Sequence, residues 1–392
     1  MKKLTISICL MLIAASGFAQ WTALISGTTN PLYSVYFPKA DTGYAVGSSG
    51  KILKTVNGGT TWALQSSGTT NNLITVHFTD TNTGYAVGNA GTILKTGNGG
   101  TTWAPQSSGT TYDLTSVYFM PQGGSNTGYA VGNIGTILKT NNSGTTWTPQ
   151  VSGSFSELTG TYFTNVNTGY AVGLFGTILK TSDGGTTWAP QSSGTTDWLY
   201  SVYFTNTDTG YAVGDTGTIL KTINGGTNWT AQTSGTTHWL NSVYFTDKNT
   251  GYAVGGTGTI LKTINGGTNW TAQASGTTND LFSVYFTDAN TGYAVGANGT
   301  ILKTTDGGVF VEENQLPESA INIFPNPATD NLTIETTEKA SIEILNIAGK
   351  LIKTITTAEK QISIDVSDLS SGVYIIKEKT EKGVAVKKFI KE

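Results

Sequence analysis

Arginine is absent from all 392 residues, and only 12% of them carry a charge. Chemistry that needs a planar guanidinium clamp on a carboxylate or phosphate is therefore excluded. Cysteine occurs once, as Cys9, inside an apolar stretch near the start. The rest of the chain has no disulfide, no thiol nucleophile and no thiolate metal site, so its stability has to come from its core. His77 and His238 are the only histidines and lie far apart, which gives no basis for an imidazole pair or a catalytic triad. The net charge is −3, which points to neither nucleic acid nor an anionic membrane. No helical period runs anywhere in the chain, and no apolar run is long enough to span a bilayer.

The start has the layout of a secretory signal peptide. Lys2 and Lys3 precede an apolar stretch, Leu4–Ala15, and Gly17-Phe18-Ala19 offers a small-residue cleavage site. The leader is read as residues 1–19, with Gln20 as the first mature residue.

Repetition dominates the chain after the leader. The string TGYAVG occurs seven times, with its tyrosine at Tyr44, Tyr85, Tyr129, Tyr170, Tyr211, Tyr252 and Tyr293. The spacing is 41 residues, except one interval of 44 that carries an insertion at Pro121–Ser125. Such a period is typical of propeller blades. Each copy breaks into four short runs rich in β-branched and aromatic residues, separated by Gly, Asn, Asp and Ser turns, which predicts a four-stranded antiparallel blade. Tryptophans follow a turn at Trp62, Trp103, Trp147, Trp188, Trp229 and Trp270, but the seventh copy stops at Gly308 with none. Trp21, with no turn before it, is followed by the same kind of text as the others. The N-terminal strand is therefore expected to complete the last blade and close a ring, which removes exposed sheet edges. The fold class is all-β: a seven-bladed β-propeller over residues 20–310, closed by its first strand, plus a small C-terminal β-sandwich.

The turn Thr181-Ser182-Asp183-Gly184-Gly185-Thr186-Thr187-Trp188 resembles an Asp-box, and residues 21–310 as a whole resemble the photosystem II assembly/stability factor-like propellers. Asp183 and Asp306 keep the aspartate of the box, while Asn57, Asn98, Asn142, Asn224 and Asn265 replace it. The resemblance implies that these boxes are folding elements. Sialidases also carry Asp-boxes, but as that resemblance has it they hold their substrate with three arginines, so their activity does not carry over.

Composition changes after Phe310. Residues 20–310 contain 22 charged side chains and the much shorter 311–392 contain 23, which places a linker at 311–319 and a second domain at 320–392. Alternating runs at Leu332–Glu335, Ser341–Leu345, Ile362–Val366 and Gly372–Ile376 predict a small sandwich. Phe324-Pro325-Asn326-Pro327, Asn346-Ile347-Ala348-Gly349-Lys350, Leu369–Tyr374 and the basic Lys387–Lys391 resemble the C-terminal sorting domain of type IX secretion. That resemblance implies passage through the periplasm and handling by the type IX machinery. It also implies an address that is either secreted or on the outer-membrane surface.

Little else in the sequence carries chemistry. Glycoside hydrolysis needs two carboxylates facing across a bond, and no pair is legible. Asp80–Gly84, Asp247–Gly251 and Asp288–Gly292 read as glycine turns and lack the further ligands of calcium loops. The lysines of the seven ILKT runs, at Lys54, Lys95, Lys139, Lys180, Lys221, Lys262 and Lys303, read as solvated strand residues. No cofactor, metal site or catalytic group is expected, and the protein is read as a non-enzyme.

Variation between copies concentrates after SGTT and after YAVG, in loops that share one face of a blade and so ring one mouth of the central channel. Blades four to six place Phe155, Glu157, Phe175, Asp197, Trp198, Asp215, His238 and Trp239 there. Aromatics beside carboxylates suit stacking on sugars or a peptide hot spot. Loop packing explains Trp198 and Trp239 equally well. The reading is a glycan- or protein-binding module, with a structural or assembly-factor-like surface scaffold as the alternative and a glycoside-active enzyme last.

Overall fold

The computed structural model describes residues 21–120, 126–308, 321–336, 339–346, 351–380 and 383–392. The leader at 1–19, the insertion at 121–125, the linker at 311–319 and most of the 346–350 turn lie outside the described residues. The chain divides into two compact units, Met1–Val309 and Phe310–Glu392.

Within the first unit the described residues form seven four-stranded antiparallel sheets. Blade five shows the pattern, with strands at Leu199–Phe204, Gly210–Gly214, Ile219–Thr222 and Thr230–Gln232. Its inner strand alternates between buried and half-buried positions, because one side meets the neighbouring blade and the other faces the channel. Its second strand is buried throughout, sandwiched between adjacent blades, which explains the run GYAVG with no polar side chain but one tyrosine hydroxyl. A bulge between Leu199 and Ser201 breaks the register at the start of the inner strand and recurs in every blade. It turns two successive residues toward the channel at that end.

The missing tryptophan is found where the ring closes. Thr22–Leu24 pairs antiparallel with Ile301–Thr304, in the register Thr22↔Lys303, Ala23↔Leu302 and Leu24↔Ile301. Trp21 is 1% exposed and meets Phe286 and Tyr252 edge-on at 5.9 and 6.4 Å. Trp103 meets Phe78 and Tyr44 at 6.0 and 6.4 Å in the same way, so Trp21 occupies the place of the absent seventh tryptophan. Burying one such indole contributes a few kcal/mol, at roughly 25 cal/mol per Å² over about 150–250 Å².

Adjacent blades are clasped through the Asp-box turns. Tyr170 Oη and Lys180 Nζ of blade four both donate to the Gly225 carbonyl in the turn of blade five, at 2.8 and 2.6 Å. The ammonium also lies 5.7 Å from the Tyr170 ring centroid, a cation–π contact. The same pair recurs at all seven junctions, including Tyr293 and Lys303 onto Gly58 across the closure. This corrects the expectation that the ILKT lysines are solvated. They are half-buried, and each satisfies a carbonyl that would otherwise face the neighbouring blade. The second glycine of the turn is dictated by the same contact. Gly226 has φ +81°, and a Cβ there would lie 2.9 Å from the Tyr170 ring. Asparagine serves the turn as aspartate does: Asn57 Oδ1 accepts from Thr61 N–H at 2.9 Å, and Asp183 Oδ1 accepts from Thr187 N–H at 2.9 Å.

One end of the channel is lined by a closed ring of aromatic side chains: Tyr36, His77, Tyr118, Tyr162, Tyr203, Tyr244 and Tyr285. Neighbouring centroids are 4.9–5.3 Å apart all the way round. Tyr203 donates to the Phe245 carbonyl of the next blade at 2.9 Å, and Tyr285 donates to that of Phe37. Burial lowers the pKa of the His77 imidazole to about 4 and keeps it neutral.

The second unit contains a three-stranded sheet, ordered Asn322–Phe324, Asn331–Glu335, Gln361–Asp365, and a four-stranded one, ordered Leu351–Thr357, Ala340–Asn346, Gly372–Thr380, Gly383–Lys391. Ile334, Ile342, Ile344, Ile364, Ile376 and Phe389 form one core between them. Two sequence motifs meet here: Asn326 Oδ1 accepts from Ile390 N–H at 2.9 Å, and Ala328 N–H donates to the Ile390 carbonyl at 2.8 Å.

Candidate functional site

The two variable loop sets come together at the channel end opposite the aromatic ring. The loop entering each inner strand accepts a bond from the turn after YAVG. Leu174, Asp215 and Gly256 N–H donate to the carbonyls of Glu157, Trp198 and Trp239 at 3.0, 2.9 and 2.9 Å. The residue at the apex of each such turn has a left-handed φ of 52–57°: Ser49, Ala90, Ile134, Phe175, Thr216, Thr257 and Asn298. Non-glycine residues reach this region at a cost, so the exposed apex N–H benefits from a cap.

At three junctions the next blade supplies that cap. Asn72, Asp113 and Asp280 accept from the N–H of Ser49, Ala90 and Thr257 at 3.0, 2.8 and 2.9 Å. Glu157, Trp198 and Trp239 occupy the same repeat position, and among the described residues they leave Ile134, Phe175 and Thr216 uncapped. Aromatics therefore replace a structural hydrogen bond at two adjacent junctions. Trp198 packs edge-on against Phe175 at 6.2 Å. Trp239 lies over Gly256, where a Cβ would come within 2.7 Å of the indole. Both indoles stay exposed, by 40% and 42%, as do Phe155 by 89% and Phe175 by 66%.

The polar candidates divide differently. Asp197 is a loop tie: its Oδ2 accepts from Thr218 and Thr216 hydroxyls at 2.6 and 2.9 Å, and the Thr218 bond leads in lowering its pKa. His238 is likewise tied, with Nδ1 2.6 Å from Thr257 Oγ1. Asn71 and Asn279 make equivalent bonds to Thr92 and Thr300 in other blades. Asp215 accepts from the Tyr200 hydroxyl at 2.7 Å. Of the three carboxylates among the eight candidates, Glu157 alone has no hydrogen-bonding partner among the described residues, since Asp197 and Asp215 are both tied. Burial first, and then the charge of Asp113, raise its pKa.

Sequence reasoning passed over two neighbours. Tyr112 and Ile134 on blade three stand in the same variable loops and are 47% and 51% exposed. With them, exposed apolar side chains extend over blades three to six. The mouths of blades seven, one and two present Asn279, Asn298, Asn30, Ser48, Ser49, Asn71 and Asn89 instead. An open cleft on blade five is lined by Asp197, Thr216, Gln232 and His238, but equivalent clefts occur on blades seven and one, so it belongs to the repeat. The Asp80, Asp247 and Asp288 carboxylates each accept two N–H groups of their own turn. No cluster of metal-ligating side chains occurs among the described residues.

Seven radial sheets, a first strand that closes the last, and a varied mouth define a β-propeller of the Asp-box type. The family described as photosynthesis system II assembly factor YCF48 matches residues 63–154, 151–232 and 191–273, more than half of the chain. The protein belongs to that family. Residues 322–392 match the secretion system C-terminal sorting domain. Among solved structures, YCF48 bound to D1 peptide is similar, with 20% identity, TM-score 0.63 and coverage of 74% of this chain and 96% of that one. YCF48 from Cyanidioschyzon merolae gives 20% identity and TM-score 0.61 over 72% of this chain and 98% of its own. PorZ, a surface component of the type IX secretion system of Porphyromonas gingivalis, gives 13% and 0.56 over 93% of this chain and 59% of its own. No curated protein sequence matches. The sorting tail marks the chain for export to the cell surface or for secretion. No helix of the described residues is long and apolar enough to cross a membrane.

Proposed function

We propose that this protein is a non-catalytic binding module that type IX secretion delivers to the cell exterior, with its ligand site at the channel mouth over blades four to six. One observation carries the reading. Trp198 and Trp239 stand where three other blades place a turn-capping Asn or Asp, so the aromatics are not required by the architecture, yet they remain exposed, as do Phe155 and Phe175, and Trp198 stands against Phe175. Large, partly exposed aromatics of this kind act as anchors in recognition sites. The ligand is a polypeptide segment. A solved relative with this fold is described as bound to a peptide, and aromatic anchors suit such segments. The tail acts before the propeller does, as the element that the secretion machinery handles.

The test is an interaction screen of the mature chain against proteins extracted from the cell surface, repeated with Trp198→Ala and Trp239→Ala. The reading expects each substitution to weaken a captured interaction by about 1 kcal/mol or more with melting unchanged. Capture that ignores both substitutions would displace the site from the mouth.

A further inference from the structure

Charge is distributed unevenly over the propeller. Of its twelve carboxylates, five stand at the mouth: Asp113, Glu157, Asp197, Asp215 and Asp280. Of its ten lysines, seven are held in the inter-blade clasps, Lys39 ends an inner strand and Lys248 lies in a loop, both at the aromatic-ring end, and only Lys51 of blade one is at the mouth. At the mouth, blades three to six therefore combine four carboxylates and the exposed aromatics with no lysine.

Four of the five mouth carboxylates have local donors. Asp113 and Asp280 cap turns, Asp197 holds two threonines, and Asp215 holds Tyr200. Glu157 has none among the described residues. It is half-buried, close enough to Asp113 to feel its charge, and both circumstances oppose its ionisation. Aromatic side chains stand in the loops around it, and the Tyr200 hydroxyl feels its charge. Phe155 lies two residues before it, the turn that presents Phe175 is bonded to the Glu157 carbonyl, and Trp198 stands against Phe175. An arriving cation would relieve the repulsion and gain an aromatic wall. The protein already uses this pairing internally, with seven lysine ammoniums 5.4–5.7 Å from tyrosine centroids.

We infer that the mouth over blades four and five takes a lysine or arginine side chain from an extended, partly apolar polypeptide, with Glu157 as counter-ion and Phe175 and Trp198 as the wall along which it lies. This rests on the reading of the mouth as the ligand site. A neutral glycan would leave Glu157 unpaired, and an anionic one would meet four carboxylates.

A random dodecapeptide library panned on the mature chain tests this. Selected peptides carry a basic residue beside an apolar one. Replacing that residue by glutamine weakens binding roughly tenfold, the scale of a partly desolvated charge pair. Glu157→Gln removes the distinction between the two peptides without changing the melting temperature, and added salt weakens only the basic peptide. Trp198→Ala weakens both. Selected peptides without basic residues, or equal affinity of the two peptides for the native chain, would overturn the cationic assignment. Sensitivity of those same peptides to Trp198→Ala would then keep the mouth as the site. Failure to select any peptide, with neutral glycans binding in a Trp198-dependent way, would also overturn it. Peptides that bind regardless of both Glu157 and Trp198 would remove the mouth reading along with it.

Discussion

The two ends of the propeller channel are built on opposite rules. At one end the same inner-strand position is tyrosine in six blades and His77 in the seventh, and the rings touch in an unbroken circle. At the other end the loop positions differ in nearly every blade, and the aromatics gather on one half of the circumference. The ring end gains from sameness, since Tyr118, Tyr203, Tyr244 and Tyr285 reach the carbonyl of the next blade only if those blades keep one register. The mouth gains from difference, because a site on a symmetric frame has to break that symmetry. Identity between blades thus reports architecture, and departure from it at exposed positions reports specialisation.

The sharpest way to break the ring side of the comparison is at its closure. Trp21→Ala should cost about 3–5 kcal/mol, as truncation of a buried aromatic does, and deleting residues 20–28 should cost more because blade seven then loses its outer strand. Chemical denaturation of both variants checks this, and midpoints equal to the native one would refute closure by that strand.

A second test uses His77. Its folded pKa of about 4 lies below an unfolded value near 6.5, so the unfolded chain binds the extra proton first. Stability is then complete above about pH 6.5 and falls between there and about pH 4, by up to a few kcal/mol. His77→Tyr should remove that slope and restore the uniform ring; a slope unchanged in the variant would contradict the assignment. The Asp183 carboxylate is held down to about 2 chiefly by the Thr187 hydroxyl, so its contribution is present above about pH 4 and is lost only below that.

Smaller effects come from the clasps. Lys180→Met keeps the length of the side chain but removes the bond to Gly225, which Tyr170 still serves, so a loss of about 1 kcal/mol is expected in urea unfolding. Asp183→Asn should change the melting temperature least of all, since five blades already use asparagine there. Apart from stability, removing residues 319–392 should leave a folded propeller that stays in the periplasm, as cell fractionation would show.

Much of the fold is legible in the sequence because the repeat averages out local ambiguity. Seven copies of TGYAVG and one displaced tryptophan are enough to give the blades and the closure. The lysine clasps are not legible. A lysine at a strand position looks solvated until the neighbouring blade's turn is seen to place a carbonyl within reach of its ammonium. At the mouth, the variable positions can be read directly, but their roles cannot. Asp197 and His238 are tied to threonines of the adjacent turn, a pairing that depends on loop geometry and not on spacing along the chain. Tyr112 and Ile134 escape a reading that centres on the blades with tryptophan.

On this view the mouth's aromatics serve recognition and the ring's serve architecture. The most direct test is the double variant Trp198→Ala/Trp239→Ala, measured for melting temperature and for binding to the same selected peptide or captured surface protein, beside Trp21→Ala as the architectural control. The double variant should melt with the native protein and lose at least tenfold in affinity, at about 1 kcal/mol or more per anchor, while Trp21→Ala melts far lower. A double variant that melts early yet binds as the native protein does would contradict this view.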